Sequence, residues 1–489
     1  MSDLVRVLPE TCIALTLVFV LLAEITYYGE GVRLISLLSI MGLGAALFQV
    51  AISYESGAGF AFSNAVSVDG LSLFFKSLFI VLSGFSVLSA AKSSEIPMSR
   101  RVEFYVLVMM SCLAMCLAAG SSELLLSFVA LTATNVVGHL LAGFGKRSLR
   151  STEAAVKYLI LSSVSGVCFL YAAGILFSMT HSLNIYEIHK ALVATPLPRT
   201  QMLIVFMLFV ISLGSQIAVF PLSLWAPDVI EGAPTPIAGF LSVGIPATGF
   251  AVAIRLFLAT FTQASEVHGQ WKVLGEFQWT EVLTLLSGLT MLFGALLSLR
   301  QTSAKRMVGC LVVAQTGYYL MGLLVLDEVG VAALLYNLIV GLFSLVGVFY
   351  VLSFFHDELG SDSLSEYKGV LGRAVPECIC LVLFLLCVVG VPPLPGFLAK
   401  FTLIGVVIRH NQLSLAVAAI LAMALSTITV SKLAFSLIGD VRTPSSKVRW
   451  VSSQRNMVLA SILVPMLFVG VFAQFFLNWA GRSLGFIFW

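Results

Sequence analysis

Lys400 closes the segment Val391-Pro-Pro-Leu-Pro-Gly-Phe-Leu-Ala-Lys400, at the end of a long apolar run. An ammonium at membrane depth costs several kcal/mol unless it lines a polar path or finds a partner. The prolines beside it, Pro392 and Pro393, free backbone carbonyls that then need new donors. A lysine next to a proline-broken helix is therefore the pattern of an ion or proton route. Glu153 and Lys157 stand four apart, in the order that favours an ion pair on one helix face. They serve either as a structural pair or as part of a polar axis. Arg255 falls mid-span and calls for a carbonyl or an acid inside the bundle, and Glu24 is an acid deep in the first apolar run. His139 belongs to the residue type that titrates near neutral pH, although a lone helix histidine is also an ordinary packing residue. Lys76 and Lys432, near span edges, are expected to snorkel toward an interface.

The elements that carry these residues are membrane helices. The chain has 489 residues, 59% hydrophobic and only 10% charged, with a mean hydropathy of +1.03. Soluble domains carry roughly 25% charged residues, and apolar runs of about 20 residues suit helices crossing a bilayer. The alternating ten-residue pattern of a transmembrane barrel is absent. The spacing predicts an all-α integral membrane protein of about fourteen spans: 8–28, 34–53, 70–90, 103–119, 123–143, 154–178, 202–222, 237–261, 280–299, 307–326, 330–354, 377–399, 413–438 and 457–477. Residues before the first run do not form the basic region of a signal peptide. Eight cysteines form no metal-ligand pattern and read as small buried side chains.

Basic residues test the count. Loops after odd-numbered spans hold sixteen: Arg33, Lys92, Arg100, Arg101, Lys146, Arg147, Arg150, Arg300, Lys305, Arg306, Lys368, Arg373, Arg442, Lys447, Arg449 and Arg455. The opposite side holds six: Arg6, Lys190, Arg199, Lys272, Arg409 and Arg482. That bias places both termini on the non-cytoplasmic side.

Two spans are interrupted by proline, the seventh at Pro221 and the twelfth at Pro392 and Pro393. They stand five spans apart, so matching copies would run in opposite directions through the membrane. The expected organisation is an N-terminal three-helix segment (1–102), two inverted five-helix repeats (103–262, spans four to eight, and 263–440, spans nine to thirteen), and a C-terminal helix and tail (441–489). Broken helices at matching positions of inverted repeats mark transporter ion sites.

The stretch Trp225-Ala-Pro-Asp-Val-Ile-Glu-Gly-Ala-Pro-Thr-Pro236 resembles a signature of the antiporter-like membrane subunits of respiratory complex I, in particular the subunit N and subunit 2 branch. Further similar segments run along nearly the whole chain: Ser122-Glu-Leu, Glu153-Ala-Ala-Val-Lys-Tyr-Leu-Ile-Leu161, Gln301-Thr-Ser-Ala-Lys-Arg-Met307, Ala314-Gln-Thr-Gly-Tyr318, Glu366-Tyr with Gly369, and the Lys400 segment itself. Lys305 and Gln315 join the polar-axis candidates on these segments. The resemblance implies a fourteen-helix membrane-arm subunit with a central chain of ionisable residues, coupling quinone reduction to proton movement. It also implies other complex I membrane subunits and the lipid bilayer as partners, with no nucleic acid. NADH, flavin mononucleotide, iron–sulfur clusters and quinone are expected on other subunits, with no cofactor or metal on this chain. A bacterial inner membrane is the expected location, an organelle inner membrane the alternative.

Mapped onto this sequence, the family's polar chain is interrupted. Its fifth-span glutamate falls at Thr132, its seventh-span lysine at Gln216, its eighth-span lysine at Pro246, and a histidine near the tryptophan at Ser223; only Lys400 matches. Threonine and glutamine order water but store no proton near neutral pH, and Pro246 removes a backbone donor and is expected to kink span eight. The resemblance thus leaves three readings: a subunit whose own proton channel is degenerate, a route redirected through Lys157, Arg255, Glu24 or His139, and a local shift of the correspondence. At the level of the assembly, a cation/proton antiporter subunit and a hydrogenase- or ferredoxin-linked membrane complex are the alternatives.

Overall fold

The computed structural model describes residues 2–27, 31–55, 57–91, 93–146, 148–195, 198–267, 269–275, 278–438 and 453–485. Lys92, Arg147, Arg442, Lys447 and Arg449 lie outside the described residues. The described chain is almost entirely helical. After the short α1 (Ser2–Arg6) come α2 (Leu8–Tyr27), α3 (Val32–Glu55), α4 (Gly70–Ala90), α5 (Arg101–Gly120), α6 (Leu124–Ala142), α7 (Leu149–Thr180) and the connector α8 (Ile185–Ala194). Next are α9 (Arg199–Ile217), α10 (Trp225–Gly232), α11 (Thr235–Phe261), α12 (Trp279–Leu299), α13 (Ala304–Leu324) and α14 (Glu328–Leu359). The chain ends with α15 (Val375–Val389), α16 (Pro395–Arg409), α17 (Leu413–Ile438), α18 (Ser453–Val471) and α19 (Ala473–Arg482).

Twelve of the described helices are long and apolar enough to cross a membrane, thirteen if the bent α18–α19 pair is one span. The seventh of them runs through the α9–α10 break, Arg199–Gly232. The remaining expected span corresponds to α15 and α16, each only 15 residues long. Here the expected boundary 377–399 is corrected: the chain breaks after Val389 and resumes as a helix to Arg409. Lys400 therefore sits in the second turn of α16, beside the break, rather than at the end of a span.

Packing is graded from centre to edge. Every residue of α11, and every residue of α13 except Arg306, is buried, whereas α2 and α3 expose apolar side chains such as Phe19, Ile25, Met41 and Phe48. In a bilayer, outward apolar side chains meet lipid rather than water, so all-round hydrophobicity is the expected pattern for the peripheral spans. α11 continues through Pro246 as one helix. Two short hairpins, Gly59–Ala61 with Val66–Val68 and Thr262–Ala264 with Trp271–Val273, close loops at the bundle ends.

Candidate functional site

Two helix breaks organise the polar interior. In the first, α9 ends at Ala218, whose φ of 64° is left-handed, and Phe220-Pro221 is cis. In the second, α15 ends at Gly390, φ 93°, and Pro392-Pro393 is cis. Proline has no N–H, so the carbonyl four residues earlier loses its helical donor; in the second break that carbonyl is Val389. The Lys400 ammonium supplies the replacement, donating to Val389 O at 3.0 Å. It also lies 4.0 Å from the centre of the Tyr318 ring, a favourable place for a desolvated cation. No carboxylate lies within ion-pair distance of Lys400 among the described residues. Gly396 lets the two half-helices meet, because a Cβ there would fall 1.7 Å from Cys387 O.

α13 carries the polar groups nearest to Lys400. Tyr318 donates from its hydroxyl to Ala419 O at 2.6 Å. One turn back, Gln315 Nε2 donates to Asn337 Oδ1 at 2.8 Å, both side chains buried. Ten residues earlier, about 15 Å along the axis, Lys305 donates to Ala233 O at 2.7 Å and faces Glu95 and Asp362, each at 3.7 Å. Between Lys305 and Gln315, α13 is mostly apolar, with Val308, Val312 and Val313 buried. Asp362 also accepts from His356 at 2.9 Å. Burial raises the Asp362 carboxyl, but His356 and Lys305 outweigh it and hold the group below its ordinary value of 3.8.

The expected pair Glu153–Lys157 forms at 2.7 Å, and Lys157 also reaches Asp228 at 2.6 Å. Arg306 contacts Asp228 at 2.9 Å and Glu231 at 3.4 Å. These charges line an open cavity of about 310 Å³ together with Arg150. Lys305 and Arg306, adjacent in sequence, thus join one charged cluster each. Asp228 and Glu231 stand three apart on α10, a spacing that puts both carboxylates on one face.

The other expected residues are dispersed. Arg255 is buried and makes a bidentate pair with Asp69, at 2.7 and 2.9 Å, with further bonds to Tyr186 and to Ala119 O. Asp69 caps α4; burial raises its carboxyl, but Arg255 and Ser72 hold it below the ordinary value. Gln216 is buried with its Nε2 unpartnered among the described residues. Thr132 is half-buried on α6. His139 meets the Ser162 hydroxyl at 2.7 Å and the edge of Tyr158, a packing role. Glu24 leaves Oε2 buried without a partner among the described residues. Lys432 is exposed and donates to Leu299 O and Gln301 O, as a snorkelling lysine does. Lys76 does not snorkel: it is fully buried, 2.7 Å from Glu10. Glu10 lies in the first turn of α2, within the expected first span.

Residues outside the expected set are Asp228, Glu95, Asp362, His356, Asn337, Tyr318, Asp69 and the Glu10–Lys76 pair. Asn337, a polar side chain inside the otherwise apolar α14, carried a signal in the sequence; the loop acids Glu95 and Asp362 carried none.

A family model described as the transmembrane region of NADH:quinone oxidoreductase/Mrp antiporter proteins matches residues 121–426. The chain belongs to this family. NADH-quinone oxidoreductase subunit N 2 of Chloroherpeton thalassium is 33% identical over 382 residues, covering 77% of this chain and 74% of its own length. NAD(P)H-quinone oxidoreductase subunit 2 of Thermosynechococcus vestitus is 34% identical over 400 residues, covering 81% and 75%. A chain of respiratory complex I from Thermus thermophilus superposes with a TM-score of 0.78 at 25% identity, over 96% of this chain and 98% of that one. A chain of the Mrp complex from a Dietzia species shares the fold, with a TM-score of 0.85 at 16% identity over 98% and 96%. Both breaks and the α10 cluster lie within the family match; Glu10 and Lys76 lie before it.

Proposed function

We propose that this chain is a membrane-arm, antiporter-like subunit of a proton-translocating NADH:quinone oxidoreductase. The observation that carries the reading is the family match spanning both helix breaks, joined to named relatives over about four-fifths of the chain. Quinone reduction, with its flavin, iron–sulfur clusters and quinone, takes place on other subunits, and this chain is a non-redox part of the translocase. Its two inverted repeats are 103–262 and 263–440, each with one broken helix. Both termini face the non-cytoplasmic side of a bacterial inner membrane.

Lys400 is the protonatable group of this subunit's central path. Thr132, Gln216 and Pro246 stand where the family pattern calls for charges, and the apolar stretch between Lys305 and Gln315 divides the axis. The subunit's own channel is degenerate, with Glu153 and Lys157 acting with Asp228 as an ion-pair cluster at one end. Purifying the tagged chain from its native membrane is expected to bring a flavin and iron–sulfur complex; recovery of a lone protein would defeat the assignment. Sodium- or potassium-dependent proton flux in vesicles without any electron donor would instead make it an antiporter subunit. Co-purification with a hydrogenase or a ferredoxin-linked enzyme would change the electron donor but not the membrane role.

A further inference from the structure

The pair outside the family match has the burial of a functional site. Lys76 Nζ lies 2.7 Å from Glu10 Oε1, with side-chain exposures of 0% and 5%. Neither Glu10 oxygen nor Lys76 Nζ has a well-formed hydrogen bond to any described residue. The ammonium has three N–H groups and one carboxylate to serve. A buried ion pair left this poorly satisfied is a weak staple, since well-packed apolar side chains of similar volume hold two helices at least as well. Low dielectric also narrows the gap between the ion pair and its neutral form, amine plus carboxylic acid.

The surroundings are polar on one side. Cys116 of α5 faces both charges, with Cys112 beside it. Gly120 ends α5 next to the Lys76 side chain, whose Cε lies 3.9 Å from where a Cβ would stand. The preceding residue, Ala119, gives its carbonyl to Arg255 at 3.2 Å. Asp69, paired with Arg255, is seven residues before Lys76 on α4, about 10 Å away along one face. Glu10, in the first turn of α2, lies about one helical turn from that end of the bundle. Two buried acid–base pairs therefore meet at the C-terminus of α5.

We propose that Glu10 and Lys76 are a proton-exchange pair at the end of the bundle that carries the N-terminus of α2. The Lys76 ammonium gives a proton to the Glu10 carboxylate, leaving a neutral amine and a carboxylic acid. The acid releases that proton outward, and the amine takes another from the interior, which restores both charges. This inference rests on the reading of the chain as a subunit of a proton-moving complex.

Lys76→Arg separates relay from staple, because arginine keeps the ion pair and does not deprotonate in proteins. In the intact complex in native membrane vesicles, Lys76→Arg is expected to keep assembly and uncoupled quinone reduction while lowering protons moved per electron. The double variant Glu10→Gln/Lys76→Met, which leaves no unpaired charge, is expected to lower it equally. If either assembled variant moves as many protons per electron as the parent, the pair is a staple and the proposal is overturned. A parent complex that moves no protons on NADH oxidation would overturn the functional reading itself. Pumping by the parent and equally by the variants would overturn only the exchange pair.

Discussion

The two helix breaks share a backbone and differ in what satisfies it. Each ends a helix on a left-handed residue, Ala218 or Gly390, and places a cis proline three positions later, Pro221 or Pro393. Glycine takes that conformation freely, whereas alanine pays about 1 kcal/mol. At the break between α15 and α16, a charged side chain, Lys400, serves the freed carbonyl. At the break between α9 and α10, the side-chain donors are neutral and serve the carbonyls flanking Ile217, the one four residues before Pro221: Trp225 Nε1 to Ser215 O at 3.1 Å and Thr316 Oγ1 to Ala218 O at 3.4 Å. Closing a break thus needs a donor but no charge.

The largest expected effect tests how tightly the second break is built. Gly396→Ala puts a methyl 1.7 Å from Cys387 O, a backbone atom that cannot step aside, whereas Gly214→Ala near the first break meets nothing closer than 3.7 Å. Membrane levels of the first variant should collapse and those of the second should match the parent, as read by immunoblot. Next comes the charge itself. Lys400→Gln keeps a donor for Val389 O and loses the proton, so an assembled complex that moves fewer protons per electron is expected, through lost coupling to neighbouring subunits rather than a lost channel; an unchanged proton-to-electron ratio would show that Lys400 only closes the backbone.

Away from both breaks, Asp362 gives a pH control. Its carboxyl is held below 3.8 in the folded chain, so it contributes stability that is complete above that value and lost as pH falls through the folded value. Thermal unfolding of the detergent-solubilised protein at falling pH should lose stability less steeply in Asp362→Asn than in the parent. A smaller loss, about 1 kcal/mol for one neutral hydrogen bond, is expected for Trp225→Phe, which keeps the stacking on Tyr158 at 4.6 Å. Proton movement should be unaffected, and a larger loss than for Lys400→Gln would reverse the ranking of the breaks. The least change is expected from Thr132→Glu with Gln216→Lys, which restores charges near an α11 still carrying Pro246: folded protein and no gain in protons per electron.

Much of this architecture was legible because proline and lysine are costly in apolar helices. Pro221, Pro392 and Pro393 marked both breaks, and the i,i+4 spacing of Glu153 and Lys157 gave a pair that forms. The sequence reading stopped span twelve just before Lys400, treating the charge as a terminus, although Phe401–Val407 remains largely apolar and α16 continues. Glu10 falls inside the expected first span, 8–28, but no local signal in the sequence marks it as paired; α2 turns it inward. Its partner lies two helices away on α4, and Asp228 lies 71 residues from Lys157. Such pairings are set by how helices pack, and no local periodicity encodes them.

The isolation of Lys400 also bears on signalling between neighbouring chains. A carbonyl dipole and an aromatic quadrupole hold it, and their fields fade faster with distance than that of a net charge. A unit charge arriving about 10 Å away would change the energy of the ammonium by about 1.7 kcal/mol at an effective dielectric constant near 20. That is more than a tenfold change in any equilibrium that moves this proton. A lysine with its own carboxylate would feel the same change but be held firmly in its charged form, whereas Lys400 has no such partner among the described residues.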